Sequence, residues 1–278
     1  MGQTYSRVGL RARMAVVDNP SYCGSGFRVR YWVAVLVVAM LSRIAVAVPA
    51  AGQTAYEEVV VTSGAEFAGK AVFRGDAPAP RRLLVTKDEE VCGFGYLERN
   101  EVAVGNDGGL AGVVVVVEGI QAGKAWPGSQ TRQVLDQKDC IFSPHLLVVP
   151  KGSEVDVLNS DPVLHNLHAY ELIDGSGRTM FNVGQPPSDN VIVQSIQPRL
   201  GNMVRLECDA HDFMQSWIYA ADTPYWAVTQ EDGSFVIDDV PPGEYLVTAW
   251  HPSLGVQQHT VNLAPNGAAE LALEFADP

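Results

Sequence analysis

The chain has 278 residues, enough for one large or two small domains with a real apolar core. With 47% hydrophobic and 18% charged residues, its composition excludes a disordered or fibrous protein. Net charge is −13, unevenly spread: residues 1–50 hold six of the 19 basic residues and one of the 32 acidic ones, so the remainder sets 13 basic against 31 acidic residues, net −18. Such a body repels nucleic acid and anionic membranes and favours a basic partner through fast, salt-sensitive encounter, although acidity also serves solubility alone.

At the start of the chain, the apolar run Tyr31–Ser42 follows basic residues and precedes small ones at Ala45–Ala47 and Ala50–Ala51. That is the order of a secretory signal. Arg43 leaves the run short for a spanning helix. Residues 1–50 therefore read as a signal peptide or N-terminal anchor. The body reads as exported, periplasmic or extracellular, touching a membrane only through an uncleaved leader.

Beyond the leader no stretch has the pattern of a long amphipathic helix. Short apolar runs alternate with turn signals, as in all-β domains. In chain order, strands are expected at Lys70–Arg74, Gly112–Glu118, Leu146–Val149, Glu154–Leu158, Met203–Glu207, Ser216–Ala220, Ser234–Asp238 and Glu244–Trp250. The run of five valines in Gly112–Glu118 reads as a strand buried on both faces. Residues 119–139 read as irregular. Residues 174–200, rich in Gly, Ser, Pro and Asn, read as a long loop with Val191–Val193 as its one strand-like piece. Asp174-Gly175 and Asp232-Gly233 are tight-turn dipeptides.

The chemistry concentrates in Cys208-Asp-Ala-His211-Asp-Phe-Met214, read as a loop between two strands. A thiolate, an imidazole and a thioether lie within seven residues. Soft sulfur plus imidazole selects copper, and a His₂Cys site with a weak axial Met is an electron-transfer arrangement. The second imidazole must come from elsewhere in the fold, and His165, just past the Glu154–Leu158 strand, is the natural donor. The body has three cysteines, Cys92, Cys140 and Cys208. An odd number suggests one pair and one special thiol. Pairing Cys92 with Cys140 leaves Cys208 for the metal; two buried thiols are the alternative, since spacing does not fix connectivity.

Taken singly, each ligand has a plainer reading: Cys208 as a small buried hydrophobe, Met214 as core packing. The combination carries the argument. His168, an odd number of positions from His165, is expected on the opposite face of its strand. His145, His251 and His259 read as structural or exposed positions. Trp217 and Tyr219 read as core aromatics.

Residues 140–222 resemble the cupredoxin (blue copper) family of amicyanin and plastocyanin in the Cys-x₂-His-x₂-Met spacing and in the upstream strand followed by His165-Asn166. The resemblance implies one type-1 copper held by His165, Cys208, His211 and Met214, with Asn166 steadying the site and His211 as the ligand nearest the surface. Asp209 and Asp212 depart from the apolar surroundings usual in that family. A second resemblance, on Asp232–Trp250 and Gly69–Gly75, is to the carboxypeptidase regulatory-like (prealbumin-like) β-sandwich.

The expected architecture is therefore all-β: a Greek-key β-sandwich of cupredoxin type with an additional prealbumin-like β-sandwich region. Its divisions are 1–50 (leader), 57–109 (N-terminal β-region), 110–222 (copper domain) and 223–278 (flanking β-region, forming one module with 57–109 if the copper domain is an insertion). The expected role is a one-electron carrier, not an enzyme, serving a redox protein such as a basic cytochrome. Two rivals stay open, a structural β-module with an incidental copper loop and a copper-handling protein, though six Met in all weigh against the latter. A multicopper oxidase is excluded, because the chain lacks His-x-His pairs and Cys208 is followed by Asp.

Overall fold

Alternating apolar and polar residues make nearly every element a strand. The computed structural model describes residues 56–128, 131–173, 175–187 and 191–277; the expected leader and Asp174 lie outside these. Among the described residues the one helix is the single turn Glu89–Cys92. Residues 52–278 form one compact unit built of two β-sandwiches.

The first sandwich is assembled from both ends of this unit. One sheet orders Trp226–Val228, Val114–Val117, Gly243–His251 and Gly255–Leu263; the other orders Ser234–Val240, Ala65–Arg74 and Ala268–Ala276. Phe67, Leu110, Val115, Tyr225, Ile237 and Phe275 fill the space between them. The regions 57–109 and 223–278 thus share one core. The strand Val114–Val117 belongs here too, paired with Trp226–Val228 and Gly243–His251. That moves it out of the 110–222 copper region to which it was assigned. Its four valines are all buried, because Val115 and Val117 face this core while Val114 and Val116 face the second sandwich.

The second sandwich lies between these halves in sequence. One sheet orders Val191–Ser195, Glu154–Asn159, Gln133–Lys138 and Ile141–Ser143; the other orders Ser176–Gln185, His165–Ile173, Met203–Cys208, His211–Ala221 and Leu146–Pro150. Successive strands cross between sheets, as Leu146–Pro150 and Glu154–Asn159 do. Leu135, Phe142, Val155, Leu167, Leu206 and Ile218 are among its core residues. Two stretches differ from expectation. Ser176–Gln185 is a ten-residue strand in a hairpin with His165–Ile173, not loop. It sits at a sheet edge, largely open to solvent, so its polar composition carries no strand signal. Gln133–Lys138, read as irregular, is a strand held by parallel pairing with Glu154–Asn159.

A third apolar cluster joins the sandwiches. Val114, Val116 and Trp250 of the first meet Val148, Tyr219 and Ala221 of the second. Trp217 and Tyr219 pack against Trp250 at ring-centroid distances of 6.0 and 5.8 Å.

One excursion crosses from the first sandwich onto the second. The hairpin of Arg81–Leu84 with Tyr96–Arg99 carries the helical turn Glu89–Cys92 at its tip. Val85 and Cys92 are buried in the second core, with Leu83, Val91 and Leu97 packed against it. Cys92 forms a disulfide with Cys140, as the sequence pairing had it.

Candidate metal centre

Two hairpins bring the donors together. Met203–Cys208 and His211–Ala221 turn through Asp209-Ala210 alone, so Cys208 stands opposite His211. The expected ligand loop is therefore a tight turn, with its ligands on the strands themselves. Beyond that turn the register slips, and the next pair is Glu207 with Gln215. The slip breaks the in–out alternation: Phe213 and Met214 are both buried, so His211 and Met214, three residues apart, both face the interior. His165 opens the neighbouring strand and is fully buried.

His165 Nδ1 and His211 Nδ1 lie 3.1 Å apart, and Cys208 Sγ lies 3.8 and 3.7 Å from them. The point equidistant from these three atoms is about 2.1 Å from each, close to a metal–imidazole bond and slightly under a metal–thiolate bond. Cys208 and His211 are each 1% exposed. Met214, 2% exposed, shares the apolar cluster that contains Cys208.

The surroundings fix which nitrogens face inward. His165 Nε2 is 2.8 Å from Asp161 Oδ2, and His211 Nε2 is 2.8 Å from Asp88 Oδ2. A carboxylate only accepts, so each Nε2 carries the proton and each Nδ1 presents a lone pair. Two lone pairs converging at 3.1 Å beside a thiol suit a soft cation between them. Burial lowers the pKa of His165 despite the raising effect of Asp161, which keeps the ring neutral. Burial raises the pKa of the Cys208 thiol, opposed by backbone N–H groups of Asn166, Ala210 and His211 that point at the sulfur. Bonding to a metal would remove that thiol proton outright.

Asn166 closes the site from outside. Its N–H donates to Cys208 Sγ at 3.3 Å, while its Oδ1 accepts from the N–H groups of Asp209 and Ala210 and fixes the turn. Asp161 does more than orient His165. It also accepts from the N–H of Asp139 at 2.7 Å and of Cys140 at 2.8 Å. Those two residues hold left-handed conformations in the turn preceding Ile141–Ser143. One carboxylate thus anchors both a ligand and a half of the disulfide. Disulfide and ligands are close neighbours, since donor atoms of Cys92, Cys140 and His211 lie within 4.8 Å of one another.

Of the four predicted ligands, the structure brings the donor atoms of His165, Cys208 and His211 together, and Met214 is buried in the same apolar cluster as Cys208. His168 faces the other side of its strand as expected, bonded to Asp209 at 2.9 Å and stacked on Tyr170. His211 is not the surface ligand that the family resemblance implied. Asp88, on the excursion from the first sandwich, covers its outer edge. Sequence reasoning missed Asp88 and Asp161. Asp161 stands four residues before His165 in the turn Asn159–Pro162, a readable spacing, whereas Asp88 lies 123 residues from His211 and leaves no local sign.

Among comparisons with known proteins, polysaccharide lyase family 4, domain II, matches residues 203–271, a stretch running from the second sandwich into the first. That is a different family from the carboxypeptidase regulatory-like one that Asp232–Trp250 resembles. No curated protein matches the chain. Similar solved structures include a purple cupredoxin from Nitrosopumilus maritimus (16% identity, 32% of this chain and 99% of that one, TM-score 0.28). Others are amicyanin from Paracoccus versutus (14%, 38% and 97%, TM-score 0.27) and a pseudoazurin from Sinorhizobium meliloti (15%, 32% and 73%, TM-score 0.26).

Proposed function

We propose that the protein is an exported type-1 copper protein that carries single electrons, with His165, Cys208, His211 and Met214 as the residues that would hold the metal. The observation that carries this reading is the buried triangle of two Nδ1 atoms and one Sγ, with sides of 3.1, 3.7 and 3.8 Å. Copper, when bound, would supply a reversible Cu(I)/Cu(II) couple. The chain's own part is to hold the donors still. Asp161 and Asp88 orient the imidazoles, Asn166 fixes the Cys208 turn, and strands on both sides resist relaxation when the charge changes. Burial keeps water from adding as a further ligand. Export accords with the Cys92–Cys140 disulfide and with the basic-then-apolar start of the chain. No helix of the described residues is long and apolar enough to cross a membrane. The acidic body fits a basic redox partner such as a cytochrome.

The test is to express residues 51–278, load Cu(II), and record visible and electron-spin spectra of the wild type and Cys208→Ser. An intense blue thiolate-to-copper band with narrow copper hyperfine splitting, lost in Cys208→Ser, is expected. An ordinary tetragonal copper signal that survives the substitution would remove the electron-carrier reading.

A further inference from the structure

The loop between Leu84 and Tyr96 has an anatomy of its own. Its neck is closed by the N–H of Val85 donating to the carbonyl of Gly95 at 2.9 Å. Gly93 and Gly95 take positive φ values of 97 and 87°, which residues with a side chain rarely adopt. Asp88 is itself left-handed at φ 51° and starts the helical turn at whose other end Cys92 stands. One turn of helix has little stability alone. Besides the buried Val85 and Cys92 and the partly buried Val91, three contacts among the described residues tie this loop down. They are the Cys92–Cys140 disulfide, the Asp88–His211 hydrogen bond at 2.8 Å, and a Thr86–Asp212 contact at 3.5 Å, the limit for a hydrogen bond. The hairpin beneath is held independently, since Arg99 donates to Gln215 at 3.0 Å and to the carbonyl of Phe213 at 3.4 Å.

We propose that the Cys92–Cys140 disulfide is a latch that holds Asp88 against the copper ligand His211, so that reducing this bond frees the loop, opens the His211 edge and shifts the metal's reduction potential. This rests on the copper reading given above. The reduction is a dithiol exchange: a dithiol reductant gives up two electrons and two protons and becomes a disulfide, while the Cys92–Cys140 bond breaks to two thiols. The latch is buried, and Cys140 is among the residues lining a cavity of about 260 Å³ with Leu83, Leu97, Phe142 and Met214, on the side from which a reductant would come. Asp88 acts here as a positioning residue. Its negative charge, passed through the His211 ring, favours the more positive oxidised metal, so its withdrawal raises the potential. Withdrawal also uncovers the His211 edge to a partner, because Asp88 is about one-third exposed while His211 lies buried beneath it.

Two readouts separate the latch from the copper reading. In metal-free protein, diethylpyrocarbonate modification of the His211 peptide, followed by mass spectrometry, is expected to run at least tenfold faster in Cys92→Ala/Cys140→Ala than in the wild type. Equal rates would overturn the latch. Should the double variant fail to fold, the same peptide is read in folded wild type before and after phosphine reduction, with the same two outcomes. In copper-loaded protein, Asp88→Asn and the double-cysteine variant should each raise the reduction potential, and combining them should add nothing to the larger shift. Additive shifts, or none, would show that Asp88 does not depend on the disulfide. Absence of a blue band in every form would remove the copper reading, and the metal-free measurement would still decide the latch.

Discussion

Each imidazole of the centre is backed by a carboxylate, and the two carboxylates differ in situation. Asp161 is buried and bonded three ways, to His165 and to the N–H groups of Asp139 and Cys140. Its loss unties a ligand and leaves two backbone donors unpaired. Asp161→Ala is therefore expected to weaken copper binding by about 10- to 100-fold, read by competition with a chelator of known affinity. Unchanged affinity would mean that His165 is oriented by packing alone. Away from the centre, His251 titrates differently from an exposed histidine. Burial, with a smaller effect from His145, holds its pKa down to about 4, and its Nδ1 accepts the N–H of Ser253, a bond that only the unprotonated ring can make. The unfolded chain, with a His pKa of about 6.5, binds this proton first, so the contribution to stability is complete above pH 6.5 and lost as pH falls toward 4, by about 3 kcal/mol at most. His251→Gln should remove one proton's worth of slope from the denaturation free energy measured across that range. At this scale the sequence was legible where chemistry is local. Cys208, His211 and Met214 declare themselves within seven residues, whereas Asp88 meets His211 only through the fold.

Among elements, the loop Val85–Gly95 and its disulfide stand out, since they link segments 48 residues apart. Closing a loop of that length removes unfolded-chain entropy worth about 4 kcal/mol in the chain-entropy account. Cys92→Ala/Cys140→Ala should lower the unfolding free energy in urea by roughly that amount or less. A loss under about 1 kcal/mol would mean that native strain offsets the entropy. Strand legibility followed burial. Val114–Val117 and Glu154–Asn159 were visible because their side chains pack on apolar surfaces. Ser176–Gln185 was hidden because its edge position asks little of side chains and takes its order from backbone pairing with His165–Ile173. Gln133–Lys138 lies inside its sheet, but it too takes its order from pairing, with a partner some twenty residues further along. The slip after Cys208, which turns Met214 inward, has no sequence mark beyond the ligands themselves.

At the scale of the molecule, the two sandwiches share the cluster of Val114, Val116, Trp250, Tyr219 and Val148. Shared burial couples their stabilities, so calorimetry of the body should show one transition. Trp250→Ala should destabilise by about 3–5 kcal/mol and separate the transition into two, because it removes the ring on which Trp217 and Tyr219 pack. Two transitions already in the wild type would show that the junction is weak. The all-β class was readable from patterning, while the two sandwiches were implied by the two family resemblances. The joining surface was not, because Val114 and Val116 show only that they are buried, not against what.

The strand Ala65–Arg74 lies parallel to Ala268–Ala276 and pairs with it along nine positions, so the earliest strand of the first sandwich waits for the last. During synthesis everything between them, the second sandwich included, is made while that sheet is still unfinished. A nascent chain therefore lacks Leu273 and Phe275 from the core of the first sandwich until residues 268–276 have been made. Removing residues 268–278 would leave Ala65–Arg74 with Ser234–Val240 as its remaining lengthwise neighbour.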